Sequence, residues 1–252
     1  MGHSPLSRFS DRVADYRRAR PSYPPAVVEI VRNSGALPTG AVVADVGSGT
    51  GLSSALFLEM GHEVYGVEPN AAMRAAAEAA YADQPRFHSV DGIAEATTLA
   101  DASVDLVVAG QAFHWFDAAE ARREFARILR PPGWVLLMWN IRRTEGTAFL
   151  RAYEALLQSH GTDYREVSGR WGRFESLFAG GRFTERALPN VQVLDRDGLR
   201  ARLLSSSYTP AEGDRGREPM LAELDAIFAA HEESGRVRIE YDTKLYIGRV
   251  HA

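Results

Sequence analysis

Between residues 41 and 139, short β-rich runs alternate with helix-forming stretches, and no other feature restricts the fold as much. Ala41–Val46, Glu63–Val67, Arg86–Val90, Val104–Ala109 and Trp134–Trp139 are apolar, β-branched or aromatic over strand length. Leu52–Met60, Asn70–Tyr81 and Ala118–Leu129 carry apolar residues at helical spacing among strong helix formers. This repetition specifies a doubly wound α/β fold, a parallel sheet with helices on both faces. Its ligand belongs beyond the carboxyl ends of the strands, where strand order reverses.

The flanks read differently. Residues 1–33 hold Tyr16-Arg17-Arg18-Ala19-Arg20-Pro21-Ser22-Tyr23-Pro24-Pro25, an aromatic and arginine cluster stiffened by proline, and then a helix over Ala26–Asn33. This segment has no apolar periodicity, so it is expected to cover the ligand as a lid over residues 8–25 rather than support the sheet. After the core, Thr147–His160 reads as a helix and residues 161–182 as an irregular glycine-rich segment. Val191–Leu194, Leu199–Leu204, Met220–His231 and Arg236–Arg249 read as strand, helix, helix and a long final strand. With no linker or repeat, residues 1–252 are expected to form one domain: lid segment 1–33, core 41–140, and remaining helices, substrate-side segment and strands 141–252.

Composition narrows the chemistry. The chain has 252 residues, 45% of them hydrophobic, enough for a large core without disulfides or a structural metal. Cysteine is absent, which excludes a disulfide framework, a thiolate nucleophile, an iron–sulfur cluster and a Cys-ligated zinc site, and no metal site is expected. The net charge is -4 with no dominant basic block, so the expected partner is a small molecule and not nucleic acid. Lys244 is the single lysine, which leaves no lysine upstream for a Schiff base or a phosphate. The start, Met1-Gly2-His3-Ser4-Pro5-Leu6, lacks an apolar signal region and a myristoylation pattern, and no apolar run would insert in a membrane, so a cytoplasmic location is expected.

The first strand closes on Asp45-Val46-Gly47-Ser48-Gly49-Thr50-Gly51, with glycines at alternate positions that let backbone approach a ligand. A dinucleotide loop would read G-x-G-x-x-G and present a helix start to pyrophosphate. Here an acidic residue precedes the glycines. It would repel pyrophosphate and suits a cationic or zwitterionic ligand. Glu68 ends the second strand, seventeen residues past Gly51, where a carboxylate can accept from both hydroxyls of a ribose. Asp91-Gly92 and Gln111-Ala112-Phe113-His114-Trp115 follow the third and fourth strands.

Over about residues 40–140, these four motifs resemble, in order and spacing, those of class I S-adenosylmethionine-dependent methyltransferases. Tyr16, Arg20-Pro21, Tyr23-Pro24, His114-Trp115 and Ser205-Ser206-Ser207-Tyr208 more loosely resemble the small-molecule enzymes related to the trans-aconitate and ubiquinone-pathway methyltransferases. The resemblance implies a Rossmann-like, seven-stranded, mostly parallel sheet with a lid from the N-terminus and late helices. It also implies S-adenosylmethionine as cofactor and S-adenosylhomocysteine as product. Carried over by position, Gly47, Ser48, Gly49, Thr50 and Gly51 would pass the methionine part, and Asp45 would hold its amino group directly or through water. Glu68 with Pro69 would take the ribose hydroxyls. Asp91, Gly92 and Ile93 would meet the adenine, Gln111 would lie near the methionine, and Met73, Ala112, Phe113, Tyr16 and Arg20 would also touch the cofactor. Asp91 can alternatively cap a short helix beginning near Ile93, and Glu68 can be a solvated strand-end charge.

Methyl transfer from a sulfonium needs alignment above all, which can supply roughly 7–11 kcal/mol. A base is required for an alcohol, phenol or carbon acid and not for a carboxylate. His114 is the candidate base or acceptor contact, the alternative being a structural histidine beside Trp115 and Phe116. His62 and His88 read as structural. Phe113, Trp115, Phe116 and Trp139 are pocket walls or core aromatics. Arg17 and Arg20, with Tyr16 and Tyr23, suit a carboxylate of the cofactor or of an acidic acceptor, the alternative being a solvated surface. Arg170, Trp171, Arg173 and Phe174 are candidates for a second wall. The Asp/Asn-Pro-Pro-aromatic signature of amino-group DNA methylation is absent after the fourth strand. The expected activity is methyl transfer to oxygen or carbon of a small acidic or aromatic metabolite. The alternatives are an NAD(P)-dependent oxidoreductase, disfavoured by the loop and the missing Tyr-x-x-x-Lys, and a non-catalytic S-adenosylmethionine-binding module.

Overall fold

The structure, a computed structural model, describes residues 19–162, 164 and 174–250. Helix α1 (Ala26–Asn33) leads into β1 (Val42–Val46), α2 (Leu52–Glu59), β2 (Glu63–Val67), α3 (Ala71–Ala80), β3 (Phe87–Val90), β4 (Val104–Gly110), α4 (Ala118–Ile128) and β5 (Leu129–Arg142). Then come α5 (Ala148–His160), β6 (Phe183–Leu194), α6 (Arg196–Leu204), α7 (Arg217–His231) and β7 (Val237–Arg249). The strands form one seven-stranded sheet in the order β3-β2-β1-β4-β5-β7-β6. Strands β1 to β5 run parallel, and β7 is antiparallel to both its neighbours. Strand order therefore reverses between β1 and β4, and their carboxyl ends frame the crevice expected of a doubly wound sheet.

Alternation along each strand assigns side chains to the two faces. Val43, Leu106, Val108, Leu136 and Met138 pack with α1 and α2 on one face, while Ala44, Val107, Ala109, Val135 and Leu137 pack with α4 on the other. A third cluster joins Phe149, Leu150 and Tyr153 of α5, Leu199 and Leu203 of α6, and Met220 and Leu224 of α7 to Val237, Ile239 and Tyr241 of β7. The last β5–β7 pair is Arg142 with Tyr241, and β7 is paired with β6 from Val237 onward. The β6–β7 ribbon thus projects past the end of β5, and the late helices pack on it as a cap beside the crevice.

Two strands are longer than the sequence suggests. β5 runs beyond Trp134–Trp139 on both sides because β4 and β7 supply partners along it. β6 occupies twelve residues where Val191–Leu194 reads as strand. It lies at the edge of the sheet, so Glu185, Arg186 and Pro189 are tolerated there and hide its strand character. Helix α6 begins earlier than Leu199 because the Asp195 side chain accepts from the Gly198 amide at 2.8 Å, capping a polar first turn. No helix is present at Ile93, where a bridge to Ala96 forms a tight turn, so Asp91 does not act as a helix cap.

Candidate functional site

The glycine turn emerges from β1 with the Gly47 and Ser48 amides donating to the Val67 carbonyl at 2.8 and 3.2 Å, which ties it to the end of β2. Gly47, Gly49 and Gly51 all have positive φ. Two of them show what the turn is for. A Cβ on Gly47 would stand 2.6 Å from that of Ala112, so this glycine permits the close approach of the β1 and β4 ends. A Cβ on Gly49 (φ 57°) would meet nothing within 4 Å, so this glycine borders open space. Ser48 and Thr50 between them are buried.

Glu68 caps this space. Its Oε2 accepts from the Gly49 amide at 2.9 Å and its Oε1 from the Asn70 amide at 2.8 Å. The residue is 9% exposed, and burial raises its pKa against those two amides and Arg74. Glu68 is therefore no solvated strand-end charge. Each oxygen receives one protein donor and has a lone pair left for a diol. Asp45 lies beneath the turn with no exposed surface. Its Oδ2 accepts from the Ser53 and Ser54 hydroxyls at 2.7 and 2.6 Å, on the first turn of α2, while Oδ1 is buried without a hydrogen-bond partner. Burial pushes the Asp45 carboxyl up to about 6, with the two serines opposing and the charge of Glu68 reinforcing.

Around this pair, Arg74 donates to the Glu68 carbonyl at 2.8 Å and to Asp91 at 3.1 Å. Asp91 is thus exposed and ion-paired. Gly92 is needed because a Cβ there would sit 2.8 Å from the Thr97 carbonyl. Ile93, two residues past Asp91, is 45% exposed, an apolar surface of the kind a planar ring covers. Pro69 is half-buried between Glu68 and Asn70. Asn70 caps α3 through the Ala72 and Met73 amides, and Met73 is buried beneath. On the β4 side, Gln111 holds a left-handed φ of 58°, unusual for a residue with a side chain, and its Nε2 donates to the Asn140 carbonyl at 3.3 Å.

Several expected wall residues lie elsewhere. Phe113 is core, 2% exposed and edge-on to Phe116, while Ala112 is buried against Gly47. Trp139 is also core rather than pocket, tilted against Phe174 and edge-on to Tyr246, because its position in β5 faces the α4 side of the sheet. Phe174 is drawn into the same cluster and is not a second wall. His114 and Trp115 occupy a single 3-10 turn at the mouth of β4, their rings 4.7 Å apart, with Trp115 38% exposed. His62 is buried, and His88 stacks on Tyr65.

The described part of the N-terminal segment is bound to the sheet. Tyr16 and Arg17 lie outside the described residues, as do Arg170, Trp171 and Arg173. From Ala19 onward the chain is pinned across the end of the sheet. Gln192 holds the Ala19 carbonyl at 3.0 Å, Asn190 the Ser22 carbonyl at 2.7 Å, and Asn140 the Ser22 and Pro21 carbonyls at 3.2 and 3.4 Å. Arg20 crosses to the Ser205 carbonyl at 2.7 Å. Tyr23 is buried in the sheet's own core cluster, its hydroxyl 2.7 Å from where a Cβ on Gly110 would stand, so residues 19–23 support the sheet, contrary to the expectation that they would not. Asn140 is the hub that the sequence did not single out: its Oδ1 also accepts from Thr243 at 2.6 Å.

An exposed apolar side chain, a carboxylate with spare lone pairs and a buried orphan carboxylate oxygen, arranged round a glycine turn, suit a nucleoside joined to a cationic group. Comparison with known proteins agrees. The methyltransferase domain family matches residues 44–137. An uncharacterised methyltransferase of Schizosaccharomyces pombe is 31% identical over 232 residues, 87% of this chain and 86% of that one. One from Mycobacterium tuberculosis is 41% identical over 135 residues, 53% of this chain and 52% of its own. In fold, the chain is similar to a structure from Anaeromyxobacter dehalogenans provisionally described as a type II methyltransferase (TM-score 0.68, 23% identity, 92% and 98% of the two chains covered). It is also similar to the YcgJ protein of Bacillus subtilis (TM-score 0.53, 17% identity, 88% and 97% covered). The chain belongs to the methyltransferases, with their Rossmann-like fold. The family implies S-adenosylmethionine as the methyl donor, and the oxidoreductase and non-catalytic alternatives fall away.

The orphan oxygen of Asp45 gives a pH prediction. If it faces the cofactor's ammonium, binding favours the ionised carboxylate, so protons are released on binding below pH 6 and affinity falls as pH falls. From pH 7 to pH 5 the affinity for S-adenosylhomocysteine is expected to drop about tenfold. Calorimetry in buffers of different ionisation enthalpy checks this. Asp45→Asn should flatten the slope, and an unchanged slope in that variant would assign the titration to another group.

Proposed function

We propose that this methyltransferase transfers the methyl group of S-adenosylmethionine to an oxygen or carbon of a small acidic or aromatic metabolite. The supporting observation is the roof: residues 19–23, pinned by Asn140, Asn190 and Gln192, cross the carboxyl end of β5 and meet α6 through Arg20. A crevice roofed by the chain itself favours a metabolite over a duplex or a protein surface, as does the net charge of -4. A cytoplasmic setting and a partner set without nucleic acid or membrane belong to the same reading. No helix among the described residues is long and apolar enough to cross a membrane, and none of their acidic and histidine side chains cluster to hold a metal.

S-adenosylmethionine supplies an electrophilic methyl group on a cationic sulfonium. The chain's residues would do the positioning. Glu68 would hold the ribose hydroxyls, Asp45 the ammonium end, Ile93 the ring, and the Gly49 backbone the methionine stem. His114, at the mouth of β4, would take the proton of an alcohol or carbon acid and stands aside for a carboxylate. The test is incubation of a small-metabolite extract with S-adenosylmethionine bearing a deuterated methyl group, followed by mass spectrometry. Label in an acidic or aromatic small molecule is expected. Label confined to nucleic acid or protein would contradict the proposal.

A further inference from the structure

We propose that the cap contains a carboxylate-binding subsite for the methyl acceptor, centred on Arg202 of α6 with Arg20 and Arg142 beside it. Arg202 is 6% exposed, yet its hydrogen bonds go to neutral hydroxyls: Nε donates to Tyr241 at 3.2 Å and Nη1 to Ser206 at 2.9 Å. No carboxylate among the described residues pairs with it. By contrast, Arg142 is matched by Glu154, and the buried Glu124 by Arg127 at 2.7 Å. A guanidinium buried without a counter-ion is expensive and is retained where an anion arrives to match it.

The surroundings point the same way. Tyr153 is buried with its hydroxyl lacking a hydrogen-bond partner, and the Arg142 guanidinium stands 5.1 Å from its ring centre. Arg202, the Ser206 hydroxyl, Arg20 and Arg142 all act on the Tyr208 hydroxyl and hold it below the ordinary tyrosine range although desolvation opposes this. Among the described residues, Glu154 is the acid in contact with Arg142, and it is also engaged by Tyr164 and Gln158. Among the described residues, Arg202 and Arg142 face the single carboxylate of Glu154, which leaves this pair positive. A planar carboxylate suits the geometry, because it can accept from an arginine edge and a phenol in one plane.

Position links the cluster to the reaction. Arg142 follows Asn140 by two residues at the end of β5, and Arg20 lies on the segment that Asn140 holds. The subsite therefore adjoins the strand ends over which the methyl group would be presented. This inference rests on the methyltransferase reading of the crevice, and its test separates the two.

The full chain saturated with S-adenosylhomocysteine is titrated calorimetrically with succinate, benzoate, their amides and inorganic phosphate. At least one carboxylate should bind tenfold or more tightly than its amide and than phosphate. Arg202→Met should weaken that carboxylate at least tenfold, keep the affinity for S-adenosylhomocysteine within twofold, and leave the melting temperature unlowered, since an uncompensated buried charge is removed. Tyr153→Phe, which preserves packing, should weaken the carboxylate severalfold. Carboxylates binding no better than amides or phosphate would overturn the subsite. So would a large loss of melting temperature in Arg202→Met together with carboxylate binding unchanged in Tyr153→Phe, which makes Arg202 structural. Failure of the wild-type chain to bind S-adenosylhomocysteine would instead overturn the reading on which the subsite rests.

Discussion

Replacing Glu68 by Ala is expected to lower the affinity for S-adenosylhomocysteine by about a hundredfold, near 2.8 kcal/mol, and Glu68→Gln by about tenfold. Two effects combine. The carboxylate would accept both ribose hydroxyls, and charged acceptors of this kind contribute about 1.5–3 kcal/mol each. It also fixes the Gly49 and Asn70 amides, so its loss loosens the glycine turn against the start of α3. Glutamine keeps an acceptor oxygen but loses the charge and one of the two acceptors. Calorimetry with thermal unfolding distinguishes the contributions: a lower melting temperature with unchanged affinity would make Glu68 a purely structural brace of the turn.

Asn140→Leu should destabilise the fold by about 2–4 kcal/mol, which for a chain of this size is roughly 4–16 °C in melting temperature. The substitution keeps the number and branching of the side-chain heavy atoms and replaces the two polar ones by methyl groups. It leaves the buried Thr243 hydroxyl without its acceptor and the Pro21 and Ser22 carbonyls without the Asn140 donor. Leaving buried groups unsatisfied accounts for more of the loss than the bonds themselves. The segment around residues 19–23 should then open, so limited proteolysis is expected to cut the variant there well before the wild type. A change below about 0.5 kcal/mol with an unaltered cleavage pattern would mean that Asn140 does not hold the roof.

Legibility in the sequence followed the range of the interactions. The glycine turn, Glu68 and the strands and helices of the parallel half depend on local periodicity and turn chemistry, so they could be read directly, β2 over Glu63–Val67 among them. Asn140, Arg142 and Arg202 could not. Asn140 is meaningful only because Pro21, Ser22 and Thr243, each more than a hundred residues away, meet it. Arg202 looks like any helical arginine until the fold buries it against Tyr241 of β7. Trp139 and Phe113 were ambiguous for a related reason, because strand parity alone does not say which face holds a pocket. β6 was hidden by its edge position, where charges and proline are permitted, and one signal could have revealed it: Thr184 through Leu194 must lie opposite a long β7 whose alternation was visible.

The central claim is that the turn at Asp45–Gly51 and Glu68 takes a nucleoside carrying a cationic amino acid end rather than a dinucleotide. Its most direct test is calorimetric titration of the full chain at pH 7.5 with S-adenosylhomocysteine and, separately, with NAD. Micromolar binding of S-adenosylhomocysteine, about a hundredfold weaker in Glu68→Ala, and no measurable heat with NAD are expected. Tighter binding of NAD than of S-adenosylhomocysteine would contradict it.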